Sequence, residues 1–61
     1  MTYRIEYLQD REIIGTEASA GTLEATQQAA RMGMVERRAS LVRVIDVDSG
    51  AEIWSETVRA S

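Results

Sequence analysis

The chain has 61 residues and a net charge of -3, with ten acidic residues against seven arginines and no cysteine, histidine or lysine. These counts limit it to one domain and exclude a disulfide or a thiolate or imidazole metal site as a staple, along with most nucleophile–base pairs. A domain this small buries only about 60% of its unfolded surface, so oligomerisation is the ordinary remedy for its small core.

Residues 2–8 alternate, with Tyr3, Ile5 and Tyr7 on one face and Thr2, Arg4 and Glu6 on the other, the pattern of a half-buried strand. Gln9-Asp10-Arg11 is a polar break, and residues 12–16 form a second short strand returning as a hairpin, with Gly15 weakening its end or marking a bulge. Ala18-Ser19-Ala20-Gly21 is small and polar and reads as a connector. Thr22 is placed to cap a helix over residues 23–38, and Glu24 complements its dipole. At ~100° per residue, Leu23, Thr26, Ala30, Gly33 and Met34 share one narrow stripe.

A closing hairpin follows. Asp48-Ser49-Gly50 has the chemistry of a three-residue loop, with Gly50 in the left-handed conformation. That register pairs Val47 with Ala51, Ile45 with Ile53, Val44 with Trp54 and Arg43 with Ser55. Leu41, Ile45, Val47, Ala51 and Ile53 then share one face, and Val42, Val44 and Trp54 the other. Residues 57–61 read as a frayed tail. The predicted architecture is α+β, in the order β-β-α-β-β: a four-stranded antiparallel sheet of two hairpins with one helix on one face.

Three segments carry a family resemblance: Tyr3-Arg4-Ile5-Glu6-Tyr7, Thr22-Leu23-Glu24-Ala25, and the run from Val42 through Asp46, Asp48 and Gly50 to Ile53-Trp54. Together they resemble a group of small alphaproteobacterial proteins that carry a domain of unknown function. The resemblance covers most of the chain and implies the β-β-α-β-β fold with no known activity. The first hairpin departs from that group in lacking an acidic-glycine turn. Gly21-Thr22-Leu23-Glu24-Ala25 also echoes the helix start of the antitoxin half of bacterial toxin–antitoxin pairs.

The chemistry left to this composition is narrow. Carboxylates and two tyrosines are the remaining acid–base groups, and the chain is expected not to be an enzyme or to hold a cofactor. Asp46-x-Asp48-x-Gly50-x-Glu52 superficially resembles a calcium loop, but glycine falls at the fifth position and Thr57 at the twelfth, so turn chemistry explains it better. No apolar stretch approaches the ~20 residues that span a bilayer, and residues 1–6 lack the apolar region of a signal peptide. A cytoplasmic protein without membrane contact is the expectation.

The closing hairpin carries apolar residues on two faces while the chain holds one helix to cover them. This predicts a homodimer that binds another macromolecule, such as a protein partner, with Val42, Val44 and Trp54 as the interface. The alternative is a regulatory nucleic-acid binder using Arg31, Arg37, Arg38 and Arg43, which the acidic net charge disfavours.

Overall fold

The computed structural model describes residues 2–58. Its elements are β1 (Tyr3–Gln9), β2 (Glu12–Ser19), α1 (Leu23–Glu36), β3 (Leu41–Asp46) and β4 (Glu52–Thr57). The four strands form one antiparallel sheet in the order β2-β1-β3-β4. This is the predicted α+β architecture, and the β1–β3 pairing at its centre joins the two hairpins into one layer.

The β1–β2 hairpin closes at Gln9 and Glu12, leaving Asp10 and Arg11 as a two-residue loop, both at positive φ (52° and 71°). That is the backbone of a type I′ turn, which matches strand twist but favours asparagine and glycine. β2 runs further than predicted, because Ala18 and Ser19 pair with Arg4 and Tyr3 and use the full length of β1. Its irregularity falls opposite Tyr7 and Leu8, where Ile14 is the extra residue.

Thr22 caps α1 as its chemistry predicts, its hydroxyl accepting from the Ala25 amide at 3.1 Å. At the other end, the Ala39 amide donates to the Met34 carbonyl and the Arg38 amide to the Val35 carbonyl. This Schellman closure places Arg38 at φ 54°, where glycine is the usual residue. The helix therefore ends at Glu36, two residues before its predicted limit.

The buried helix residues are Thr26, Ala30, Gly33 and Met34, the predicted stripe. They pack on Tyr3, Ile5, Tyr7, Val42 and Val44, with Leu23 and Trp54 at the margin. Gly33 is required by contact: a Cβ there would collide with the Tyr7 Oη and Cζ. The helix backbone thus rests on the tyrosine ring. Thr26 is fully buried and satisfied, its hydroxyl donating to the Thr22 carbonyl at 2.8 Å and lying 2.7 Å from the Ser19 hydroxyl.

The closing turn differs from expectation by one residue. The Asp46 amide donates to the Ala51 carbonyl, leaving Val47–Gly50 as a four-residue connection, and Ile53 is a bulge that restores the predicted Val44–Trp54 and Arg43–Ser55 pairs. Gly50 takes φ +74° as predicted. The supposed tail begins later than residue 57: Thr57 pairs with Leu41, and the Val58 amide donates to the Ser40 carbonyl at 3.0 Å. Residues 59–61 of the predicted tail lie outside the described residues.

Candidate interaction surface

The predicted interface is corrected by this packing. Val42 and Val44 are completely buried under the helix, and Trp54 is half-buried against the same core. These three side chains form the covered face of the sheet. The reason is the β1–β3 register: Tyr7 pairs with Val42 and Ile5 with Val44, so the aromatic face of β1 and the valine face of β3 are one surface.

The four arginines are likewise not brought together. Six residues on a helix turn by about 240°, which sends Arg31 and Arg37 to opposite flanks. Arg31 lies over the Trp54 ring, 5.3 Å from its centroid, and pairs with Glu56 at 3.2 Å. Arg37 lies over the Tyr7 ring at 4.4 Å and pairs with Glu17 at 2.9 Å. Each arginine therefore straps α1 to a different side of the sheet through one ring and one carboxylate. Arg38 is the left-handed residue after the helix, and Arg43 lies on the opposite sheet face. The arrangement is a pair of structural clamps rather than a continuous basic patch.

Tyr7 Oη donates to Glu17 Oε1 at 2.9 Å, the oxygen that also receives Arg37. Burial, reinforced by the Glu17 hydrogen bond and charge, pushes the Tyr7 phenol up to about 12. Asp46 Oδ1 accepts the Asp48 amide at 3.0 Å, and the Gly50 amide donates to the Asp46 carbonyl. This acidic segment is a turn, and no group of three or more metal-ligating side chains occurs among the described residues.

The uncovered face is built from the alternate positions of the same strands. By register it has three cross-strand rows. The first holds Ala18, Arg4, Ile45 and Glu52; the middle holds Thr16, Glu6, Arg43 and Ser55; the third holds Ile13, Leu8, Leu41 and Thr57. Glu6 is 6% exposed although it lies on this open face. Its Oε1 accepts from Arg43 Nε at 2.6 Å and its Oε2 from Arg4 Nε at 3.0 Å. Leu8 and Ile45, on the two central strands, are buried by their neighbours, whereas Ile13 and Ile53 near the rims remain 52% and 41% exposed.

Sequence reasoning missed the Arg4–Glu6–Arg43 network. Its signal was present in the charged alternate positions of β1 and became legible only with the β1–β3 pairing. A depression of about 460 Å³ beside the helix start is lined by Tyr3, Ala20, Gly21, Thr22 and Leu23, and the Thr22 hydroxyl there is engaged in capping. No helix among the described residues is long and apolar enough to cross a membrane. No protein-family model matches the chain, and neither a curated protein nor a solved structure matches it.

Proposed function

We propose that this chain is a non-enzymatic, cytoplasmic interaction protein that works as a homodimer through the sheet face opposite the helix. The observation that supports the reading is that one sheet carries apolar side chains on both faces and α1 covers only one. Leu8, Leu41 and Ile45 lie on the uncovered face, with half-exposed Ile13 and Ile53 beside them. Leu8 and Ile45 are already shielded within the chain, so a second copy would cover Leu41, Ile13 and Ile53 and enlarge a core whose largest fully buried side chains among the described residues are Tyr7, Ile5, Val42, Val44 and Thr26. The non-enzymatic part of the reading rests on composition, since no nucleophile has a histidine or lysine base. Sedimentation equilibrium over a concentration series tests it. A mass of two chains is expected, and a one-chain mass at every concentration overturns the reading.

A further inference from the structure

We infer that two copies of this chain pack open face to open face about a two-fold axis running along the strands, between β1 and β3. The inference rests on the homodimer reading above and specifies its geometry.

Two-fold axes lying in a face-to-face interface differ in which residues they oppose. An axis along the strands preserves height and exchanges left with right. It lays β1 of one copy over β3 of the other, and β2 over β4. In the middle row, Glu6 then faces the partner's Arg43 and Arg43 faces the partner's Glu6, an alternating ring of two carboxylates and two guanidinium groups. In the third row, Leu8 faces the partner's Leu41 twice over, apolar against apolar, and in the first row Arg4 faces the partner's Ile45. At the ends of the middle row, Thr16 faces the partner's Ser55.

An axis across the strands through the middle row does the opposite. It keeps each strand over itself, sets Glu6 on the partner's Glu6 and Arg43 on the partner's Arg43, and places Leu8 on the partner's Arg4 and Leu41 on the partner's Ile45. Packed sheets lie about 10 Å apart with their inner side chains interdigitated, so like charges so placed repel through a desolvated layer. The charge pattern of the middle row thus selects the axis along the strands.

Dehydration at the centre falls on the guanidinium groups and not on the carboxylates, since the Arg4 and Arg43 side chains are 50% and 34% exposed. Glu6 is already 6% exposed and carries two arginine partners, so the carboxylate loses little further hydration on association. Area adds a second constraint. The broad side of a 33 × 20 × 16 Å molecule offers on the order of 600 Å², close to what one partner of a specific interface buries. The contact must therefore use the whole face, including the rims where Ile13 and Ile53 are exposed.

Site-directed cross-linking tests the axis, because the chain has no cysteine of its own. Thr16→Cys and Ser55→Cys place single thiols at exposed positions at the two ends of the middle row. The two variants are mixed, equilibrated and treated with a short bis-maleimide, with the solution mass measured alongside. The expected result is a covalent dimer from the mixture and none above collisional background from either variant alone. Equal yield from one variant alone, or no product from a mixture that has a dimer's mass, overturns the axis and leaves the homodimer standing. A one-chain mass overturns the homodimer reading and the axis together.

Discussion

Under the helix, β1 and β3 present Tyr3, Ile5, Tyr7, Val42 and Val44, closed over by Ala30, Gly33 and Met34 of α1. On the other side the same two strands present Arg4, Glu6, Leu8, Leu41, Arg43 and Ile45, organised around one carboxylate held by two guanidinium groups. The covered face gains its order from shape, with a tyrosine ring seated where a glycine leaves room. The open face gains its order from charge, with Glu6 holding Arg43 beside it in the middle row and Arg4 from the adjoining row. Shape complementarity is complete within one chain. A charged row that alternates in sign can be complemented by a second copy of itself.

Substitutions on the covered face break the comparison most strongly. Gly33→Ala raises helix propensity by about 1 kcal/mol but drives a methyl group into a tyrosine ring pinned by Glu17 and Arg37. Overpacking costs about 1–3 kcal/mol, and direct overlap with a pinned ring puts it at the upper end, so the net loss is about 2 kcal/mol and lowers Tm by roughly 10 °C for a domain of this size. Thermal unfolding by circular dichroism reads it. An unchanged or raised Tm would mean that the ring does not support the helix.

The same ring gives the covered face an alkaline signature. The folded phenol holds its proton until about pH 12, whereas the unfolded chain's phenol ionises near its ordinary value of 10. The unfolded state therefore binds fewer protons between these values. The stabilisation is fully present below pH 10 and falls as pH rises toward 12, by up to about 2 kcal/mol. Denaturant midpoints measured across that window should fall for the unmutated protein and fall less for Tyr7→Phe.

A smaller effect, in the opposite direction, belongs to the helix end. Arg38 occupies a left-handed position that costs a side chain about 1 kcal/mol, so Arg38→Gly should raise stability by somewhat less than that. The urea midpoint checks it, and the open face should be indifferent to the change.

Most of the fold was legible because its signals are local. Thr22 announced the cap, the spacing of Thr26, Ala30, Gly33 and Met34 announced the buried stripe, and Gly50 announced the left-handed turn residue. Gly15 signalled a bulge one residue from its place at Ile14, and the bulge at Ile53 was not legible, because alternation looks the same until a partner strand fixes the register. The interface residues fell on the covered face for a related reason. β3 is apolar on both sides and cannot orient itself, whereas β1 sets Tyr3, Ile5 and Tyr7 on one side against Arg4, Glu6 and a single Leu8 on the other. Pairing Ile5 with Val44 and Tyr7 with Val42 transfers that asymmetry to β3 and packs Trp54 against the core. The candidate basic residues failed as a group because proximity in sequence is not proximity on a helix. Arg31 and Arg37 leave opposite flanks and are consumed by Trp54 with Glu56 and by Tyr7 with Glu17.

If a second copy covers the open face, a charge placed there should separate the two chains. Leu41→Lys and the unmutated protein are compared by solution mass at equal concentration, with melting curves for both. Leu41 is part-exposed on the open face and outside the helix-covered core, so the charge should leave the fold intact and disrupt the contact with the partner's Leu8. A two-chain mass for the unmutated protein and a one-chain mass for the folded variant are predicted. One chain for both, or two chains for both, would contradict the account.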